Sequence, residues 1–127
     1  MRDIMLIRDI ADSPHERVID RSILCELLHP DNVPEAAGLP CSIAHAIVPS
    51  GEATILHRLA RSTELYYILS GTGEVHIDGE SALVHPGQIV SIPPGARQFI
   101  RNTGTGDLVF LCIVAPKWQA GDEELIE

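Results

Sequence analysis

The sequence predicts an all-β fold, either a sandwich or a barrel of short strands. From Ser22 onward, short apolar segments alternate with turn formers such as residues 49–51 (PSG) and 93–95 (PPG), a pattern typical of these folds. Aromatic residues make up only 4% of a chain that is 45% hydrophobic. The core must therefore be built mainly from aliphatic residues, and the β-branched ones among them suit pleated sheets.

Each expected strand is a run of apolar and β-branched residues between turn formers. Asp78-Gly79 is the strongest hairpin signal, because both central residues of a two-residue turn adopt positive φ. Residues before 22 form no long periodic stretch, so we expect a short arm there. The predicted strands are residues 22–28, 42–48, 53–59, 64–69, 74–79, 81–85, 88–93, 97–102 and 107–115.

The length of 127 residues is typical of one compact domain. We divide the chain into an N-terminal arm (residues 1–21), a barrel (residues 22–116) and an acidic C-terminal tail (residues 117–127). The tail is short and rich in acidic residues, so we expect it to form a solvated terminal turn.

The charge balance argues against two classes of partner. With 9 basic and 18 acidic side chains the formal net charge is −9, and no cluster of Lys or Arg marks a surface for nucleic acid or anionic lipid. The sequence has no run of 18 apolar residues and no apolar signal segment at its start. We therefore expect a cytoplasmic protein without nucleic-acid or membrane partners.

The cysteines indicate free thiols. Cys25, Cys41 and Cys112 are odd in number, lie far apart and have apolar neighbours. Buried thiols in a reducing compartment explain this pattern better than a disulfide framework or a paired-cysteine metal site.

Alternation along two consecutive strands brings polar residues to one face. His57 and Leu59 share a side of their strand, because residues two apart lie on the same side of a sheet. If Glu64 faces inward on the next strand, Tyr66 faces inward too, which makes Tyr66 a candidate cavity residue. A carboxylate in this position must be paired, hydrogen-bonded or protonated. A metal, a His57 imidazolium or a wet cavity would each compensate the charge of Glu64.

The same reasoning applied to residues 42–48 concerns His45. Ile43, His45 and Ile47 share one face of this strand, and two alanines lie on the other. Since the larger apolar side chains accompany His45, we expect His45 to face the core.

Two motifs then identify a family. In the first, Gly51, His57, Glu64 and Gly71 stand at the spacing G-x5-H-x-H-x3,4-E-x6-G, and this segment resembles the first motif of the cupin superfamily. Leu59 occupies the position of the second histidine.

The second motif is similar to the cupin pattern G-x5-P-x-G-x2-H-x3-N. Gly87, Pro93, Gly95 and Asn102 match it, and Gln98 replaces the histidine. Together the two motifs span residues 51–102, and their fixed glycines, prolines and spacings make the resemblance specific.

The resemblance implies a double-stranded β-helix (jelly-roll) barrel, often dimeric, with a divalent metal held by imidazoles and a carboxylate. Carried over by position, the ligands are His57, Glu64 and Gln98, whose amide oxygen is a weaker donor than imidazole. His45 or Tyr66 would complete the set or act as acid, base or substrate contact. This mixed nitrogen and oxygen donor set suits Fe, Mn, Ni or Zn.

Two main functions follow from the resemblance. The first is a small metallo-cupin acting on an unidentified small organic substrate, as a dioxygenase, isomerase or lyase. The alternative is a metal-free cupin that binds a sugar or another metabolite without catalysis, and a packed barrel without a cavity is a third reading. The arm before Ser22 and the predicted outward face with Tyr67 and Leu69 favour a homodimer, because exposed sheet edges and apolar patches are usually covered.

Overall fold

The computed structural model describes residues 5–126, which form two antiparallel sheets and three short 3-10 helices. The all-β prediction is confirmed. The 3-10 helices are Ile10–Asp12, Pro34–Ala36 and Ala120–Asp122. The strands are β1 (Glu16–Arg17), β2 (Ile23–Leu28), β3 (Ser42–Val48), β4 (His57–Leu59), β5 (Thr63–Ser70), β6 (Gly73–Ile77), β7 (Glu80–Val84), β8 (Ile89–Ile92), β9 (Gln98–Asn102), β10 (Leu108–Ala115) and β11 (Glu123–Leu125).

The two sheets enclose one core. The larger sheet has the order β1-β2-β3-β10-β5-β8, and the smaller has the order β11-β4-β9-β6-β7. Strands far apart in sequence are neighbours in both sheets, which is the jelly-roll arrangement of a double-stranded β-helix. The core residues come from both sheets: Ala46, Val48, Tyr66, Ile68, Val75, Val84, Ile92, Ala96, Ile100, Leu108, Phe110 and Cys112.

Strand β5 follows the predicted alternation. Glu64, Tyr66 and Ile68 are 8%, 2% and 0% exposed, whereas Tyr67 and Leu69 are 39% and 40% exposed. This period-two pattern is what a strand with one face on the core must show. The prediction that Glu64 and Tyr66 face inward is confirmed.

The predicted hairpin is also confirmed. Asp78 and Gly79 have φ angles of 49° and 88°, and they connect β6 to β7 with Ile77 opposite Glu80. Positive φ at both central residues is the geometry that matches the twist of the flanking strands.

The arm packs across the outer face of the larger sheet. Its strand β1 pairs with β2, with Glu16 opposite Leu24. The sulfur of Cys25 lies 3.5 Å from the carbonyl oxygens of both Ile10 and Ser13. The arm therefore buries the outer face of β2 instead of leaving it to solvent.

The expectation that His45 faces the core is wrong. Ala46 is fully buried and pairs with Phe110, so His45 lies on the opposite face of β3, where its Nδ1 is 2.9 Å from Nε2 of His15. The rings of Tyr66 and Phe110, 4.6 Å apart between centroids, fill the interior. The small side chain of Ala46 packs in the same core cluster as these rings, whereas His45 faces the arm.

The tail is not the solvated turn that we expected. Glu123–Leu125 forms strand β11, which pairs with β4 so that Glu123 lies opposite Leu59 and Leu125 opposite His57. On its other side β4 pairs with β9 only at His57 and Gln98. The tail therefore covers an edge of the sheet that would otherwise present unpaired backbone groups.

The three cysteines are free thiols, as the sequence predicts. None of the three forms a disulfide in the described part of the chain; Cys25 and Cys112 are buried and Cys41 is partly exposed. Residues 5–126 contain no helix long and apolar enough to cross a bilayer. The cytoplasmic location and the lack of nucleic-acid and membrane partners stay predictions.

We expect Gly71→Ala to destabilise the barrel by at least about 1 kcal/mol. Gly71 has φ 81°, and a β-carbon there would meet the carbonyl oxygen of Asp107 and lie 2.9 Å from Cα of Leu108. The measurement is urea unfolding. Gly106→Ala is the control, because its β-carbon would have no heavy atom within 4 Å. Equal stability of the two variants would contradict the close packing of residues 107 and 108 against Gly71.

Candidate functional site

A cavity of about 620 Å³ opens between the larger sheet, the arm and the tail. Its walls come from the inward faces of β2, β3, β5 and β10, from His57 on β4, and from residues between 13 and 20 and between 118 and 123. The volume is in the range of small-molecule sites. The barrel interior is therefore not simply a packed core at this end.

Three buried polar residues form a hydrogen-bonded row in the barrel. The Tyr66 hydroxyl donates to Oε1 of Gln98 at 2.7 Å, and Nε2 of Gln98 donates to Oε1 of Glu64 at 2.8 Å. The amide of Gln98 is thus fixed in orientation, since its oxygen is an acceptor on one side and its nitrogen a donor on the other. Oε1 of Glu64 is an acceptor in this row, so a proton on Glu64 must reside on Oε2.

Glu64 holds that proton at neutral pH. Burial raises the pKa of Glu64 from 4.5 to about 8, and the negative charges of Asp20 and Glu123 raise it further, while the hydrogen bond from Gln98 acts in the opposite direction. Desolvation disfavours the charged form, and no cation among residues 5–126 is close enough to offset it. A neutral acid is therefore how the barrel accommodates Glu64.

His57 has one free ring nitrogen. The residue is 2% exposed, and its Nδ1 donates to the carbonyl oxygen of Ile55 at 2.6 Å. In the neutral ring Nε2 then carries the lone pair. Nε2 lies 3.6 Å from Oδ2 of Asp20, which is beyond hydrogen-bonding distance.

Two carboxylates lie beside His57. Oδ1 of Asp20 accepts hydrogen bonds from the backbone N–H and the hydroxyl of Ser22 at 2.9 and 2.7 Å. Oε1 of Glu123 accepts from the indole N–H of Trp118 at 2.7 Å. One donor atom each from Asp20, His57 and Glu123 lie within 4.8 Å of one another, which makes this group able to hold a metal ion.

Burial also affects Glu123. Desolvation is the largest influence and raises the pKa of Glu123, the neighbouring charge of Asp20 raises it as well, and the hydrogen bond from Trp118 and the proximity of His57 lower it. Two acidic groups thus share a partly desolvated space, which is a common property of functional sites.

The backbone around β4 places all three residues. Ile55 N–H donates to the carbonyl oxygen of Asp20 at 2.8 Å, and Ile126 N–H donates to that of Leu56 at 2.9 Å. The pairing of β11 with β4 then sets Glu123 beside the same short segment. The arm and the tail therefore meet at His57.

The structure brings four of the five predicted site residues to one end of the barrel. Tyr66, Gln98 and Glu64 are in direct contact, and His57 is the strand partner of Gln98. His45 lies apart, on the outer face of the larger sheet.

Sequence reasoning missed Asp20 and Glu123. They lie in the arm and the tail, outside both motifs, and no spacing relates either of them to His57. They reach the site only because the arm bonds to the backbone of Ile55 and the tail pairs with β4.

Comparison with known proteins shows the family. The sequence pattern of the family described as "Cupin domain" matches residues 44–114, more than half of the chain. The protein belongs to the cupin family, as the two motifs and the double-stranded β-helix indicate.

The chain is also similar to individual proteins and to a solved structure. The chain is 42% identical over 108 residues to "Uncharacterized protein MJ1618" of Methanocaldococcus jannaschii, covering 85% of this chain and 84% of that protein. It is 34% identical over 67 residues to an "Oxalate-binding protein" of Thermotoga maritima, covering 53% of this chain and 55% of that protein. The crystal structure of a "predicted oxalate decarboxylase" from Thermotoga maritima superposes with a TM-score of 0.75 at 25% identity, covering 87% of this chain and 99% of that one.

We expect the metal-free protein to lose stability relative to Glu64→Gln as the pH rises from about 5 to about 9. Folded Glu64 keeps its proton up to about pH 8, whereas the unfolded side chain loses it near pH 4.5. The folded state binds the extra proton between these values, so the free energy of unfolding falls across this window. At about 1.4 kcal/mol per pKa unit the change is a few kcal/mol.

Urea unfolding of both proteins at several pH values measures this difference. The variant keeps the acceptor for Gln98, so the hydrogen-bonded row persists and only the titrating group is lost. Parallel pH profiles would contradict a raised pKa of Glu64.

Proposed function

We propose that the protein is a metallo-cupin that binds a divalent transition metal, Fe, Mn, Ni or Zn, in the barrel cavity and acts on a small organic substrate. The observation that carries the proposal is the free Nε2 of buried His57. Its tautomer is set by Ile55, and a backbone carbonyl acceptor at the other nitrogen is typical of metal-binding histidines.

The four positions of the family's ligand motif do not fit a metal by themselves. Leu59 has no donor atom, Oε1 of Gln98 already accepts from Tyr66, and Oε1 of Glu64 accepts from Gln98. A metal on Glu64 and Gln98 would compete with both hydrogen bonds. His57 fits, and the carboxylates in the cavity are oxygen donors of the right kind.

The metal and the buried polar residues would have different roles in the reaction. A bound metal would supply Lewis acidity that polarises a substrate oxygen. Glu64 holds a proton on Oε2 that it can donate to substrate, while Tyr66 and Gln98 fix its orientation, and the arm and tail restrict water. A neutral acid in the cavity favours proton-transfer chemistry, as in an isomerase or lyase, over oxygen chemistry.

The alternative is a metal-free cupin that binds a metabolite without catalysis. In the described residues, no side-chain N or O atom that is fully shielded from solvent lacks a hydrogen-bond partner, and the row from Tyr66 to Glu64 is complete without a metal. Thermal stabilisation of chelator-treated protein by a metabolite, with no further gain on adding metal, would favour this alternative.

We expect protein loaded with Zn²⁺ or Mn²⁺ to retain about one ion per chain after dialysis, and His57→Ala to retain none, because His57 supplies the nitrogen ligand. Elemental analysis gives the stoichiometry. His85→Ala is the matched control, since His85 is exposed and lies outside the cavity lining. Wild-type protein without bound metal under either loading would contradict the proposal.

We also propose a homodimer that covers the exposed apolar residues of β5 and β8. Tyr67 and Ile89 are strand partners, and with Leu69 they are 39%, 60% and 40% exposed. We expect sedimentation as a dimer at micromolar concentration and as a monomer for Ile89→Glu, because a charge in such a patch opposes burial. Leu39→Glu, at an exposed position in a loop, is the control; a monomeric wild type would contradict the dimer.

A further inference from the structure

We propose that Asp20 of the arm and Glu123 of the tail complete the metal site with His57, so that the bound ion fastens both ends of the chain over the cavity. This inference rests on the proposed function and names ligands that the family's motif positions do not provide. It assigns the metal to one imidazole and two carboxylates.

The geometry is close to that of a metal site. Ligand atoms bound at about 2.1 Å to one ion lie at most about 4.2 Å apart. The donor atoms of Asp20, His57 and Glu123 already lie within 4.8 Å of one another. Small side-chain rotations would bring them to bonding distance, without movement of the strands.

His57 supplies an observation independent of the two acids. Its side chain is 3% exposed, and Oδ2 of Asp20 lies 3.6 Å from Nε2. Among residues 5–126 the hydrogen bond of this ring is made by Nδ1, and none is made by Nε2. The ring nitrogen and the carboxylate oxygen thus lie close together without a hydrogen bond between them, and a cation placed between them would contact both.

The charge of the cavity favours a divalent ion over a proton. No Lys or Arg is among the described residues that line it, whereas Glu16, Asp20, Glu26 and Glu123 do, in addition to the neutral acid Glu64. Protonation of His57 would place one positive charge beside the two carboxylates of Asp20 and Glu123. A divalent cation balances both, and one imidazole with two carboxylates is a donor set that Mn²⁺, Fe²⁺ and Zn²⁺ accept.

Hydrogen bonds already hold the three proposed ligands in place. Oδ1 of Asp20 is held by Ser22, Oε1 of Glu123 by Trp118 and Nδ1 of His57 by Ile55. These contacts leave one oxygen of each carboxylate and one nitrogen of the ring for a metal. Hydrogen-bonded partners of this kind orient ligands in metal sites.

The first experiment titrates chelator-treated wild type, Asp20→Asn and Glu123→Gln with MnCl₂ and follows free Mn²⁺ by electron paramagnetic resonance. Each variant keeps the acceptor oxygen for Ser22 or Trp118, so the fold should persist. We expect each to bind Mn²⁺ at least about tenfold more weakly, which equals about 1.4 kcal/mol. The matched controls are Asp107→Asn and Glu124→Gln, both exposed, and we expect wild-type affinity from them.

The second experiment needs no variant. Because Trp118 donates to Glu123, we expect the binding of Mn²⁺ to change the fluorescence of Trp118. We also expect slower hydrogen exchange in residues 16–22 and 118–126 and little change at β6 and β7.

The outcomes separate the two proposals. If His57→Ala loses Mn²⁺ while Asp20→Asn and Glu123→Gln bind like wild type, the ligand assignment is overturned and the metallo-cupin stands. If wild type binds no Mn²⁺ or Zn²⁺, both are overturned. If the protein binds metal but hydrogen exchange in the arm and tail is not slower, the proposal that the ion holds the arm and tail over the cavity is overturned.

Discussion

The backbone of residues 55–59 is the element on which the rest of the site depends. Ile55 and Leu56 exchange hydrogen bonds with the arm and the tail, and β4 itself pairs with β9 only at His57 and Gln98. So short a strand leaves backbone groups that need partners. The two ends of the chain supply those partners, and by doing so they bring acidic side chains next to an imidazole.

A second constraint is the desolvation of Glu64. The substitution of amide for imidazole at Gln98 gives Glu64 a neutral donor instead of a neighbour that could become cationic. With Leu59 apolar as well, the described residues around Glu64 offer no positive charge to stabilise a carboxylate, so Glu64 keeps its proton. The departures from the family motif at these two positions thus have one common effect on Glu64.

The barrel was largely predictable because it rests on local signals. The hairpin at Asp78-Gly79 and the alternation in β5 follow from turn chemistry and the period of a strand. The same alternation gave the wrong orientation for His45, because both faces of β3 carry apolar residues and the arm covers the outer face. Asp20 and Glu123 were beyond prediction, since pairing of distant chain segments leaves no periodic trace in one sequence.

The pairing of β11 with β4 has a consequence for how the protein matures. Asp20 and Glu123 lie on either side of nearly the whole barrel sequence, and bringing them together carries the entropic cost of closing a long loop. During synthesis the site cannot form until β11 has left the ribosome. Its assembly thus follows the synthesis of both cupin motifs, and a shortened chain that retained both motifs but ended before β11 would lack the site.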